Sequence, residues 1–366
     1  MLTRRDFAKN ISSLLALLSL KQFADAQTTG SSTLYDNAFV LDANSLASAG
    51  RAPLSEQPDL IRAVHESGIT VVKCTLGGAG GSFEQTLADL GALEQLIELW
   101  PKDFMNVRRA ADLDVARQDR KLGFVYSFEA VSMLEGKVDR IELFRHLGVR
   151  VMQLTYNRHS PFGVGCLDGD RGGLTEVGRQ AVVKMNELGV ALDLSHCNTQ
   201  TTREGINAST KPVIISHAGC RAIYNHPRNK EDQDLKALAD KGGVIGIYML
   251  PFLTASPQQP TIDDYMRHME HALRVCGEDH VGVGSDVPFE KVGPADVAAM
   301  KQDVDARKAA GVSAPGEDRP PYIPELNTPR KMEIICNALL KYGYSNGTVE
   351  KILGLNFRRA FTEIWL

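Results

Sequence analysis

Two histidines occupy the same kind of place in succession. The stretch GVALDLSHCNT (189 to 199) breaks off its apolar run at His196, and KPVIISHAGC (211 to 220) does so at His217, each after a serine. A buried strand gains nothing from an imidazole at its tip, so the repetition points to chemistry. Two further apolar runs end in carboxylates, LGFVYSFE at Glu129 and HVGVGSD at Asp286. Imidazoles and carboxylate oxygens gathered on one rim form a donor set for a divalent metal ion, zinc above all. A single Ser-His would equally suit a satisfied core histidine. Two at consecutive strand ends, with Glu129 beside them, favour the metal.

These groups can meet only if the runs carrying them lie side by side. Eight such runs recur: AFVLDAN (38 to 44), ITVVKCTL (69 to 76), LGFVYSFE (122 to 129), VRVMQLTY (149 to 156), VALDLSH (190 to 196), PVIISHA (212 to 218), GVIGIYML (243 to 250) and HVGVGSD (280 to 286). They are rich in β-branched residues, almost continuously apolar, and separated by helical patterns, which predicts parallel strands covered on both faces. Eight units of this kind predict an α/β fold, a (β/α)8 TIM barrel, whose site is built at the C-terminal ends of the strands. The same rim then receives Asn44 from the first run and Tyr156 from the fourth. Between runs, LTEVGRQAVVKMNELG places Val177, Ala181, Val182 and Met185 on one helix face, with Thr175 as N-cap and Gly189 as the stop. Past the eighth run, the Pro-rich DRPPYIPELNTP leads into RKMEIICNALLKYG and NGTVEKILGLNFRRAFTEIW, read as extra C-terminal helices. The glycine-rich GGAGGSF (77 to 83) lacks the lysine and spacing of a phosphate loop and reads as a flexible loop over the barrel mouth.

The chain has 366 residues, 43% hydrophobic and 23% charged, with a net charge of -4, values that exclude a disordered protein. Without a basic stripe, nucleic acid is not expected as a partner. TRRDFAKN, the apolar ISSLLALLSL and the small-residue ADA before Gln27 read as a twin-arginine-type export signal over residues 1–26, cleaved near Ala26. The apolar stretch is too short for a transmembrane segment, so the expectation is a periplasmic protein with one barrel domain over 27–366. Six cysteines without a Cys-x-x-Cys pair read as buried thiols, although export leaves disulfides open. His280 opens its strand and His65, His146, His268 and His271 fall on helices, so these read as structural. His159, in YNRHSPFG beyond the fourth run, overhangs the site and is a candidate contact for metal or substrate.

At these residues the chain resembles the membrane (renal) dipeptidase family, zinc metallopeptidases of the amidohydrolase superfamily with a barrel fold. The likeness is carried by MQLTYN, GLTEVGRQAVVKMNELGVALDLSH, PVIISHAGCRAIYNHPRN, DHVGVGSD, YIPELNTP and ILGLNFRRAF. The resemblance implies hydrolysis of a dipeptide by a hydroxide on the metal. It implies that Glu129 bridges two zinc ions and that His196 and His217 complete the second. It gives Arg228 of HPRN the substrate carboxylate, and Asp286 the proton transfer. Tyr156 stands where the mammalian enzymes place a histidine that stabilises the oxyanion, and a phenol can donate a similar hydrogen bond. The first strand departs from the family's His-x-Asp pattern: Asn44 replaces the histidine and Leu46 the aspartate, while Asp42 lies one layer deeper and is a weak substitute. An amide is a poor zinc ligand and leucine is none, so the expectation is one well-held zinc ion and reduced turnover. The alternatives are a barrel that binds small peptides without cleaving them and a hydrolase of another amide or a lactone. Family members often dimerise, so the resemblance also implies a homodimer.

Overall fold

The computed structural model describes residues 34–45, 57–78, 80–169 and 171–365; the export signal read over residues 1–26 and Leu46 lie outside them. Each of the eight apolar runs contains a strand. In chain order these are β1 (Leu41–Ser45), β2 (Val71–Leu76), β4 (Leu122–Phe128), β5 (Val149–Gln153), β6 (Ala191–Asp193), β7 (Ile214–Ala218), β8 (Val244–Ile247) and β9 (Val281–Val283). They pair in the order β1-β2-β4-β5-β6-β7-β8-β9, all parallel. The ring closes just beyond β9, where the Asp286 N–H donates to the Asn44 carbonyl at 2.7 Å and the Ser45 hydroxyl to the Val287 carbonyl at 2.9 Å. One short strand was not foreseen. β3 (Phe104–Asn106) pairs with the start of β4, from Leu122 to Phe124, an edge left open because β5 joins β4 only at Tyr126.

The helices follow the patterns that announce them. Glu176–Leu188 begins where the Thr175 side chain accepts from the Gly178 N–H and ends at Gly189, whose φ of 63° an L-side chain rarely adopts. Ala181, Val182 and Met185 are buried on its inner face. After β9 come Lys331–Lys341, Asn346–Glu350 and Asn356–Ile364. Phe357, Phe361 and Trp365 from this last stretch pack with Leu41, Val71, Val125, Val151, Ala191, Ile214 and Val244, early residues of the strands. The C-terminal helix thus plugs the barrel's N-terminal mouth. Among the described residues no helix is long and apolar enough to cross a membrane.

Two residues further along five of the strands the interior changes character. Period-two alternation puts Lys73 above Val71, Ser127 above Val125, Gln153 above Val151, Asp193 above Ala191 and Ser216 above Ile214. All five polar residues are fully buried. An apolar floor therefore carries a polar layer, and the rim stands on that layer. All six cysteines are buried and unpaired.

Candidate metal centre

The rim residues come from strand ends and the first residues beyond them. His217 lies within β7, Glu129 directly follows β4, and His196 and Asp286 each sit three residues past β6 and β9. Gly284 allows the last placement, since a Cβ there would fall 1.8 Å from the Ser216 carbonyl oxygen. Asp286 itself has a left-handed backbone, φ 59°, a strained state for a residue other than glycine.

The hydrogen-bond network sets the tautomers of both histidines. Asn157 donates through Nδ2 to the Val312 carbonyl at 2.8 Å, so its Oδ1, 2.8 Å from His196 Nδ1, must accept the proton of that ring. The Ser216 hydroxyl donates to Asp193 at 2.5 Å, so it accepts from His217 Nδ1 at 2.8 Å. Both Nε2 atoms are then bare lone pairs, and they face each other at 2.9 Å. Glu129 Oε1 lies 3.3 Å from His196 Nε2 and 3.2 Å from His217 Nε2. Three lone pairs so close repel unless a cation lies among them. A tetrahedral ion with bonds of about 2.0–2.2 Å separates its ligands by roughly 3.3–3.6 Å, within a few tenths of an ångström of these edges. The chemistry of the donors therefore fits a divalent ion. Among the described residues this is one converging group of His, Cys, Asp or Glu side chains, and it is largely buried.

The electrostatics agree. Burial, aided by the Arg228 cation, holds His196 well below the usual imidazole range, so the ring is unprotonated. Burial raises the Glu129 carboxyl, and the two imidazoles oppose that rise only with N–H groups turned toward it; with both Nε2 atoms bare, a bound cation must take over this role.

Above this centre opens a cavity of about 580 Å³, lined by Glu129, Tyr156, His196, Arg228 and Asp286. Tyr156 stacks on His196 with ring centroids 4.4 Å apart. Burial, and then Glu129, push its phenol up, so it keeps its proton. Arg228 is 2% exposed, and its Nε and Nη2 find no protein partner among the described residues. Burial raises the Asp286 carboxyl, with Glu129 adding to the rise and His217, Arg228 and Lys73 opposing it. The roof is the helix Pro294–Ala309 with the segment reaching residue 321, which contribute Val297, Met300, Val304, Arg307 and Glu317.

Not every expected residue reaches the site. The His159 side chain is 78% exposed, 3.3 Å from Asp168, and does not line the cavity. The described residues of the glycine loop at 77–83 do not line it either; Ser82 caps the helix Phe83–Leu99. Asp42 spends its oxygens on the Ser285 N–H (2.8 Å), the Ser285 hydroxyl (2.5 Å) and the Asn44 N–H (3.2 Å), and burial pushes it up to about 6. It is a strand-closing group and supplies no ligand. Asn44 does reach the rim but is engaged on both sides, accepting from Lys73 at 2.5 Å and donating to Asp286 at 2.7 Å. Asn157, Asp193 and Lys73 were missed. The two serines before the histidines carried a usable signal, because both hydroxyls bond Asp193 and so fix the loops that present the rings.

The profile of the membrane dipeptidase family (peptidase family M19) matches residues 47–302. A dipeptidase of Claviceps purpurea is 27% identical over 288 residues, 77% of this chain and 60% of that protein. An uncharacterized dipeptidase of Schizosaccharomyces pombe is 29% identical over 206 residues, 55% of this chain and 50% of its own length. The matched part thus spans about half to three fifths of these curated relatives. Among solved structures, an amidohydrolase from Pseudomonas aeruginosa superposes with a TM-score of 0.80 at 29% identity, covering 92% of this chain and 99% of that one. A metallopeptidase from Rhodobacter sphaeroides, solved with a phosphinate mimic of L-Ala-D-Ala, shares the fold with a TM-score of 0.73 at 19% identity, covering 90% and 99%. The extent of the profile match settles the kinship: this chain belongs to the membrane dipeptidase family.

Proposed function

We propose that the protein is a metal-dependent dipeptidase working with one divalent ion, zinc by its donor set, between Glu129, His196 and His217. The observation that carries this reading is the convergence of three lone pairs on the wall of a cavity that also presents a buried, unpartnered arginine. When bound, the ion supplies Lewis acidity toward a peptide carbonyl and makes water more acidic.

The chain's own residues do the rest. Arg228 offers Nε–H and Nη2–H, a planar fork that suits the free carboxylate of a dipeptide. Leaving these donors buried and unpaired is costly, so ligand or water must take them. The Tyr156 phenol donates toward the carbonyl oxygen as it gains charge. Asp286, holding its proton to higher pH than an ordinary carboxyl, passes it to the departing amine. Met300, Val297 and Val304 in the roof give the substrate side chains an apolar wall.

The test is metal analysis of the purified protein, followed by hydrolysis assays on dipeptides with a free or an amidated C-terminus. The expected result is one ion per chain and cleavage of the free-carboxylate substrates. Arg228→Met should raise KM at least about 10-fold, since hydrogen bonds to a charged group contribute about 1.5–3 kcal/mol each. Amidated substrates should show no such difference between wild type and variant. A metal-loaded protein that binds dipeptides without cleaving them overturns the reading. We further propose export by the twin-arginine route, for which the paired Arg4 and Arg5 are the support. Changing both to Lys should keep the protein in the cytoplasm, and continued processing outside would refute it.

A further inference from the structure

One buried charge next to the metal centre has no part in the reaction just described. Lys73, on β2, is fully buried in the polar layer under the rim. Its Nζ donates to Asn44 Oδ1 at 2.5 Å and lies 3.7 Å from Asp193 Oδ2, both side chains of this ion pair being wholly inaccessible. Asn44 passes the influence on, because Nδ2 donates to Asp286 Oδ1 at 2.7 Å. An ammonium has donors only, so Asn44 is compelled to turn its oxygen to Lys73 and its amide hydrogens to Asp286. Desolvating an ammonium this fully is expensive, and the cost is tolerable only where negative charge surrounds it. Here that charge is Asp193 beneath, with Asp286 joined to it through Asn44. Asp193 and Asp286 bring two carboxyl groups to the β1–β2 side of the mouth, and Lys73 is the buried cation that answers them.

We infer that Lys73 is a resident cation of the site: its ammonium occupies the charge position of a second metal ion on the β1–β2 side and limits the centre to one ion. It also acts as a positioning residue. Through Asn44 it engages one oxygen of Asp286 and leaves the other for the cavity that Asp286 lines. This inference rests on the metal-hydrolase reading above. It adds that the β1–β2 half of the rim is filled by a fixed charge of the chain and is not a vacancy awaiting an ion.

The test compares wild type with Asn44→His, Lys73→Met and the Asn44→His/Lys73→Met double variant. Each is dialysed to equilibrium against Co²⁺ and read by elemental analysis and by the visible absorption of bound cobalt. Methionine keeps the length of the lysine stem without its charge, and histidine at 44 supplies a donor beside Asp286. The expected result is one ion per chain for wild type and for both single variants, and one ion more for the double variant. A second ion in wild type or in Asn44→His, with the lysine in place, overturns the inference. So does a folded double variant that gains nothing. Circular dichroism monitors folding, and Lys73→Gln with Asn44→His is the second neutral pair should the methionine version misfold. A wild type that binds no cobalt would end the hydrolase reading, whereas the difference between Asn44→His and the double variant would still report on the lysine.

Discussion

The two halves of the rim solve opposite problems with similar materials. On the β4, β6 and β7 side, every ring N–H is drawn outward to Asn157 or Ser216, which leaves bare lone pairs pointing inward. On the β1, β2 and β9 side, the Lys73 ammonium supplies the positive charge, and Asn44 relays it to Asp286. The first half is electrostatically incomplete without an added cation; the second is complete as folded. A buried polar cluster is thus read by the direction of its donors, since a cluster whose donors all face away from its centre has been built around something else.

The largest expected effect breaks the incomplete half. His217→Ala removes one of three converging donors, and zinc affinity should fall by more than the roughly 100-fold that loss of a supporting residue commonly costs. Dipeptide hydrolysis should fall with it. Equilibrium dialysis of the folded variant decides, and retention of tight zinc would show that the convergence is not the metal centre.

A smaller effect sharpens the contrast between two asparagines. Asn157→Ala frees the His196 ring to turn and should weaken zinc binding by about 10–100-fold. Asn44→Ala should leave it nearly unchanged, because Asn44 orients no ligand. Equal losses in the two variants would erase the distinction between the halves.

The smallest effect concerns a histidine that serves no ion. His268 accepts from the Cys220 N–H at 2.9 Å and donates to the Leu253 carbonyl at 2.9 Å, and burial lowers its pKa to about 4. The unfolded chain takes up this proton near pH 6.5, so between the two values the unfolded state holds more protons and stability falls as pH falls. His268→Gln should flatten the dependence of the unfolding free energy over that window by up to about 1.4 kcal/mol per pH unit. Urea titrations at several pH values measure it, with zinc content unchanged. An unaltered slope would mean that His268 is not the group titrating.

The strands were legible because parallel strands buried on both faces must be apolar throughout, and His196, His217, Glu129 and Asp286 were legible because they interrupt that rule at strand ends. Lys73 was illegible for the converse reason. In VVKCTL a single lysine shows nothing of whether it points into the barrel or out, and its meaning depends on Asp193, 120 residues away in sequence but adjacent in the polar layer. Asn157 lies in irregular chain after β5 and is fixed by Val312, a contact that no periodicity announces. The roof from Pro294 to residue 321 has the same character: its helix buries little beyond Val304 and takes its place from the cavity below.

The six buried thiols have a practical consequence. Burial pushes Cys74, Cys276 and Cys336 up to about 12 and Cys197 to about 11, so native thiolate is scarce as well as inaccessible. A thiol reagent can then reach each sulfur only when the chain around it opens, and its labelling time becomes a clock for that opening. The clocks are well distributed. Cys166 touches Asn157, Cys197 is held by Thr155 beside the metal centre, and Cys276 and Cys336 sit on helices far along the chain. An ion that ties His196 to β7 should slow the first two far more than the last two, so the protein carries its own timing device for distinguishing local loosening of the rim from unfolding of the whole barrel.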